Sequence, residues 1–584
     1  MKNQEVSRIF RDIAKILELK GENIFRIRAY ERAAQAVDNL QENLEGVIKK
    51  EELTSIPGIG ADLSVKIKEI AATGRLKYYE ELKKKTPQGL IAMMEIPGLG
   101  PKTVKKLYEQ LKINTVEKLE KAAKSGKLLK LEGIREKTED NILRGINLVR
   151  KGGERQTLNS GLLLSKSFVD KLKSLKAIDD IEVAGSVRRK KDTIKDIDIL
   201  VTSKKPKEVM DKFIHLDLVK EVLAHGETKS SVIAKENNMQ VDLRVLKHES
   251  FGSALLYFTG SKEFNIRLRQ LAIKMGYKIN EYGVFPATSM KNTGGPASGG
   301  QKDKKLAGKT EEEIFSLLKM AYIPPELRED RGEIDAALEN KLPKLIELND
   351  IKGDFHIHSR YSDGLASIAD IAKKLEEFDY EYAAICDHSQ SLKIAGGLSE
   401  KEVYKKLKEL KKVNQKSKIK LFAGTEVDIA SDGTLDYSNN LLKEFDVVVA
   451  AIHSGFKQTK AQLTKRIVNA CKNKYTNIIA HPTGKLWGAR EAYDIDIDEI
   501  CRAAADNQVA LEINCYPQRL DLNDINVMRA KKHGVKLTLG TDSHQLNQLW
   551  SMELGVAVAR RGWLEKGDII NCLSLNGVIK WLKK

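Results

Sequence analysis

The stretch Gly353-Asp354-Phe355-His356-Ile357-His358 decides how the last third of the chain folds. It reads as a short strand, and period-2 alternation sets His356 and His358 on one face. Similar segments recur at Tyr382–Asp387, Leu421–Glu426, Val447–His453, Asn477–His481, Val509–Asn514 and Lys536–Asp542, with helical patterns between them. Seven such units predict a closed parallel (βα)7-type barrel with outer helices. Functional groups in such barrels gather where strands end. His356, His358, His388, His453, His481 and His544 all fall there, and Asp363, Glu426 and Asp542 belong to the same series. Neutral imidazole and carboxylate are fixed lone-pair donors suited to Zn, Mn or Fe. Residues 351–584 therefore read as a multinuclear metal hydrolase. Such ions activate water for hydrolysis.

A second acidic site lies upstream. Ile181-Glu182-Val183-Ala184-Gly185-Ser186 reads as a strand running into a Gly-Ser turn, with Arg188 and Arg189 following. In the strand Asp196-Ile197-Asp198-Ile199-Leu200-Val201 both carboxylates share one face. Val241-Asp242-Leu243-Arg244-Val245 turns Asp242 away from its apolar side. Three carboxylates on one sheet surface repel each other unless cations neutralise them. Two Mg²⁺ ions would do so, one favouring attack by a primer 3′-hydroxyl and one holding a triphosphate. Gly-Ser followed by Asp-x-Asp marks nucleotidyltransferases as a class, not DNA synthesis in particular.

Residues 1–150 are helical in pattern. Ile56-Pro57-Gly58-Ile59-Gly60 and Ile96-Pro97-Gly98-Leu99-Gly100 repeat 40 residues apart, each before a lysine-bearing helix (Lys66; Lys102). Glycines let the backbone approach a ligand, and the helix N-terminus offers free N–H groups to a phosphate. The pair resembles the helix-hairpin-helix motif, which grips nucleic-acid backbone without reading bases. Leu131-Glu132-Gly133-Ile134-Arg135 is a weaker third copy.

At 584 residues the chain needs several cores. Its net charge is +18, of which +13 falls in residues 1–350, as suits a polyanion partner. No apolar run approaches a membrane span and no leader is recognisable, so a cytoplasmic protein is expected. Five cysteines without a CxxC pair argue against a disulfide framework or zinc ribbon.

Tyr257-Phe258-Thr259-Gly260-Ser261, then Asn265 and Arg269, then Ile279-Asn280-Glu281-Tyr282-Gly283, closely resemble family X DNA polymerases. The resemblance covers residues 1–350. It implies a helical lyase-like domain (1–85), a second hairpin domain (86–150), an α/β palm (151–255) and a thumb (256–322), while 12 acids against 9 bases across residues 301–350 place a linker at 323–350. It makes Asp196, Asp198 and Asp242 the catalytic metal ligands. Gly185, Ser186 and Arg189, with Arg155 as a weaker candidate, become triphosphate contacts. Tyr257, Phe258 and Gly260 would bracket the nucleotide sugar, with Asn265 and Arg269 facing the nascent base pair and template. Tyr30, Gly58, Gly60, Lys66, Gly98, Gly100 and Lys102 become DNA contacts. Lys66 also matches the family's Schiff-base lysine, but Asp62 replaces a supporting lysine, and a phosphate contact is the preferred role. Pro286–Lys305, rich in Gly, Ser, Lys and Asn, is a second departure and reads as a surface loop.

The motifs of 351–584 resemble the polymerase and histidinol phosphatase (PHP) superfamily. That resemblance makes the nine histidines and carboxylates above ligands for about three Mn²⁺ or Zn²⁺ ions. It adds Glu512 and Asn514 as a supporting floor, Arg490 and Arg519 as phosphate contacts, and Cys386 as packing. Together the two resemblances imply a monomeric repair enzyme that binds gapped DNA and dNTPs. It would fill short gaps, and trim 3′ ends or cleave beside abasic sites. A rival reading joins a template-independent nucleotidyltransferase to a small-molecule phosphatase. The paired hairpins count against it, because a small substrate needs no grip on a duplex.

Overall fold

The computed structural model describes residues 3–583 apart from 39–43, 50, 52, 57, 95, 97–98, 132–138, 140–141, 144–145, 147–154, 288–304 and 488. Gly98, most of the third hairpin copy and the core of the 286–305 loop lie outside the described residues.

The N-terminal region packs helices around two apolar clusters. Phe10, Ile67 and Leu63 belong to the first, and Leu99, Val104 and Leu107 to the second. Each hairpin glycine pair leads directly into a helix, Ala61–Thr73 after Gly60 and Pro101–Leu111 after Gly100. Tyr30 is 2% exposed, packed edge-on against Phe10 and stacked on Tyr78. Its side chain, expected among the DNA contacts, is buried in the domain core.

The palm is a five-stranded sheet in the order Ile181–Val183, Asp196–Thr202, Gln240–Leu246, Lys229–Ala234, Val219–His225. The second and third of these run parallel, which sets Asp198 directly opposite Asp242. Phe251–Thr259 and Lys262–Lys274 then supply the helices carrying the aromatic pair and Asn265.

The barrel has seven parallel strands in sequence order: Gly353–Ile357, Tyr382–His388, Lys420–Asp428, Val447–Ala451, Ile478–Ile479, Ala510–Asn514 and Leu537–Gly540. Most are buried along their whole length, as parallel strands covered on both faces must be. The last returns to the first: His358 N–H donates to Ser543 C=O (2.9 Å) and Asp542 N–H to His356 C=O (2.8 Å). Gly540 is required where this closure is tight, since a Cβ there would lie 2.2 Å from Glu512 Oε1.

Residues 323–350, expected as a linker, are folded into the structure. Ile323, Leu327, Ile334 and Ala337 lie in the thumb's apolar cluster. Arg328 is fully buried, with Nη1 and Nη2 donating to Glu311 at 2.6 and 3.0 Å, and Arg188 grips the same carboxylate from the palm. Burial raises the Glu311 pKa, but Arg328 and Arg188 outweigh it and hold the carboxyl down at about 2. Its stabilising effect is complete above the unfolded value near 4.5 and is lost as pH falls towards 2. Stability measured across that window should fall in the wild type and stay flatter in Glu311→Gln. Arg328→Met should cost roughly 3–5 kcal/mol at neutral pH, because Glu311 loses a partner for its buried charge. Denaturant unfolding would measure both.

Candidate functional site

Three elements build the palm site. Gly185 opens the short helix Gly185–Arg188 with φ +63°, and a Cβ there would sit 2.6 Å from Asp198 Oδ2. Only glycine allows so close an approach. Asp198 is pushed up to about 7 by burial, then by the charges of Asp196 and Asp242. Asp196 is raised by burial and by Asp242. Asp242 is partly compensated, 3.2 Å from Lys229 Nζ and accepting from Gln240 Nε2 at 2.8 Å. An oxygen-only set under this much mutual repulsion fits hard divalent cations. Gly185→Ala should displace Asp198 and lower nucleotide incorporation roughly 10- to 100-fold. The barrel's chemistry, assayed on the same preparation, should be unaffected.

Arg189 directly follows the Gly185–Arg188 helix. Its guanidinium donates to Glu329 (Nε, 3.0 Å) and to Thr259 C=O, and Nη1 would lie 3.1 Å from a Cβ at Gly260. Arg155 is tied to Thr193 through its hydroxyl (2.6 Å) and carbonyl. Tyr257 and Phe258 meet edge to face at 5.1 Å, and Arg244 lies over the Phe258 ring at 4.2 Å. Asn265 Nδ2 donates to Tyr257 C=O (2.7 Å), and Arg269 Nε to Asn265 C=O (3.1 Å). These bonds hold Tyr257, Asn265 and Arg269 in one row.

In the barrel all nine expected residues converge. The donor atoms of eight form three groups, His358, Asp363, His388 and His544; His356, His358 and Asp542; His388, Glu426 and His453, and His481 joins them through Glu426. Glu426 is central, 2.9 Å from His388 Nδ1 and from His481 Nε2, 3.2 Å from His453 Nε2, and 3.4 and 3.5 Å from His356 Nε2 and His358 Nε2. Two of the rings are anchored through their outward nitrogens. His356 Nδ1 lies 2.7 Å from Glu512 Oε1, and His544 Nδ1 lies 2.8 Å from Asp542 C=O. With those nitrogens protonated, the opposite ones keep lone pairs facing inward. His356 Nε2, both His358 nitrogens, His388 Nδ1 and Glu426 Oε2 are buried without an aligned hydrogen bond. Buried polar atoms are otherwise almost always paired, so this set fits metal ions.

The electrostatics agree. Burial depresses His388, but Glu426 and Asp363 outweigh it and raise it to about 10. His358 goes down to about 4, by burial and then by neighbouring imidazoles. The cluster wants positive charge at its centre, and not one proton per ring. Asn514 donates to Glu512 and Asp542 (both 3.1 Å), as a floor should. Arg519 is held on Asp542 (Nε to Oδ2, 3.3 Å), and Arg490 stacks on Phe456 at 4.0 Å. Cys386 is fully buried, its thiol pushed up to about 12 by burial, with Sγ 3.3 Å from Phe355 C=O. That is packing.

Two supporting residues escaped the sequence reading. Asp428 lies 3.4 Å from His453 Nδ1. Period-2 spacing from Glu426 was a signal for it. Lys406, 1% exposed, donates to Ile385 and Gly424 carbonyls and lies 2.8 Å from Asp387. It sits in a lysine-rich helix and gave no signal.

At the hairpins Gly58 has φ +97°, and the helices after Gly60 and Gly100 begin without a side-chain cap. Their first N–H groups therefore receive no side-chain cap. Lys66 pairs with Asp62 one turn away.

Fold and sites together define a nucleotidyl-transfer palm joined to a multi-histidine hydrolase barrel. Family models match along the chain: a helix-hairpin-helix domain at 1–76, a SAM-like helix-hairpin-helix tandem at 90–147, a DNA polymerase beta thumb at 254–329 and a PHP domain at 354–515. The DNA polymerase/3′-5′ exonuclease PolX of Bacillus subtilis (strain 168) is 37% identical over 586 residues, spanning the whole of both chains. DNA polymerase lambda of Arabidopsis thaliana is 27% identical over 56% of this chain and 62% of its own. The Rattus norvegicus polymerase lambda is 26% identical over 54% of each. The chain belongs to the family X DNA polymerases that carry a C-terminal PHP domain.

Proposed function

We propose that the chain fills short gaps in DNA by adding dNTPs to a primer 3′ end, and that its barrel removes nucleotides from 3′ ends. One observation carries this: both polar clusters are complete in a single chain, three carboxylates in the palm and nine histidines and carboxylates in the barrel. The hairpins before the palm supply the backbone grip a duplex needs.

In this reading Asp196, Asp198 and Asp242 hold two Mg²⁺ ions, and the barrel ligands hold about three Mn²⁺ or Zn²⁺ ions. Bound there, such ions would neutralise phosphate charge and favour an ionised oxygen nucleophile. The chain's own groups do the positioning. Ser186 and Arg189 orient the triphosphate beside Gly185. Tyr257, Phe258 and Gly260 receive the sugar, and Asn265 and Arg269 the base pair and template. In the barrel Arg519 and Arg490 bind substrate phosphates. The protein works as a monomer in the cytoplasm. No helix among the described residues is long and apolar enough to cross a membrane.

The test is a 5′-labelled gapped duplex incubated in Mg²⁺ and in Mn²⁺. With dNTPs the primer should lengthen by the gap. Without them it should shorten from its 3′ end. An unchanged duplex, with phosphate released only from a small monoester, would support the rival phosphatase reading instead.

A further inference from the structure

Arg189, the triphosphate arginine, is gripped from outside the palm. Arg561 ends the helix Met552–Arg561 and is 3% exposed. Its Nη1 donates to Arg189 C=O at 2.7 Å and to Glu329 Oε1 at 3.0 Å. Its Nη2 donates to Asp524 Oδ2 at 2.5 Å, an oxygen that also accepts from Arg331 at 3.0 Å. Glu329 Oε1 is the same atom that takes Arg189 Nε, and Lys191 Nζ stands 3.9 Å from its other oxygen. Four cations thus surround two carboxylates at the join of palm, thumb and barrel.

The sharing has a consequence for charge. A carboxylate held by one arginine neutralises it in a paired fork. Glu329 is divided between Arg189, Arg561 and Lys191, so Arg189 keeps positive charge in excess of what its partner cancels. Arg561 also bonds the Arg189 backbone, which fixes where that guanidinium starts. With Arg561 gone, Glu329 would lean further onto Arg189, closing a bidentate pair and drawing it from the nucleotide. The carboxyl of Glu329 is held far below its usual range: burial opposes this, but Arg561, Lys191 and Arg189 outweigh it.

We propose that Arg561 is a positioning residue of the polymerase site: through Glu329 and the Arg189 backbone, the barrel domain sets the placement and free charge of the arginine that receives the dNTP triphosphate. This rests on the palm reading above. It gives the barrel a role in synthesis separate from its own chemistry.

The experiment is single-nucleotide gap filling by the full-length chain, with 3′-end shortening measured on the same preparation. R561Q should raise the KM for dNTP roughly tenfold with kcat nearly unchanged, the loss of about one charge-assisted contact. Shortening should proceed at the wild-type rate. R561K, which keeps the charge but cannot bridge both partners, should fall between. An R561Q protein that still shortens DNA but shows a wild-type dNTP KM, or loses kcat alone, overturns the inference. Should R561Q fail to fold, R561K decides, and a wild-type KM in it likewise overturns the inference. A wild-type chain that adds no nucleotide would remove the palm reading and this inference together, whereas an active chain indifferent to Arg561 removes only the inference.

Discussion

Asp198→Ala should abolish dNTP incorporation, by roughly 10³-fold or more, while 3′-end shortening continues at the wild-type rate. The size follows from its place. Asp198 faces Asp242 across the parallel strand pair, touches the Gly185 turn, and combines burial with repulsion from both other carboxylates. Its carboxyl is pushed up to about 7, so without cations it gives up its proton only near neutrality. A bound cation would reverse that. Incorporation should therefore need millimolar-range divalent ion and weaken below pH 7 when the ion is scarce. Measuring primer extension against pH at two Mg²⁺ concentrations checks the sign. A profile that ignores Mg²⁺ concentration would mean that Asp198 is not where the ion is held.

Glu426→Ala should do the reverse. Five imidazoles lie within 3.5 Å of this one carboxylate, itself 1% exposed. Removing it takes the shared anion from the centre of the barrel. Loss of 3′-end shortening by roughly 10³-fold is expected, with gap filling spared. Ions bound by the native state also stabilise it, so a chelator should lower the wild-type melting temperature and barely move that of the variant. If gap filling fell in step with shortening, the two sites would not be independent.

The barrel was largely legible in the sequence. Its strands are buried, largely apolar runs whose histidines and acidic ligand candidates cluster towards one end, a pattern with few competing explanations. Predicted and observed limits differ by about two residues at most strands, as for Leu421–Glu426 against the observed Lys420–Asp428. The palm carboxylates were legible for the same reason. What stayed hidden depends on partners distant in sequence. Arg561 and Glu329 are 232 residues apart, and neither carries a local mark. Residues 323–350 read as a linker because they are charged. Their charges are buried in pairs, Arg328 on Glu311 and Glu329 on Arg561, which inverts the usual inference from polarity to exposure. Tyr30 matched a family pattern, and the burial of its ring between Phe10 and Tyr78 was not legible from that pattern.

The central claim is that one chain holds two separate cation-binding centres that act on phosphate. Elemental analysis of purified wild-type, Asp198→Ala and Glu426→Ala proteins, each assayed for gap filling and 3′-end shortening, tests it most directly. The account predicts transition metal in the wild type, up to one ion for each of the three donor groups, retained in Asp198→Ala and largely lost from Glu426→Ala. Metal-free wild-type protein that still shortens DNA, or equal metal in all three, would contradict it.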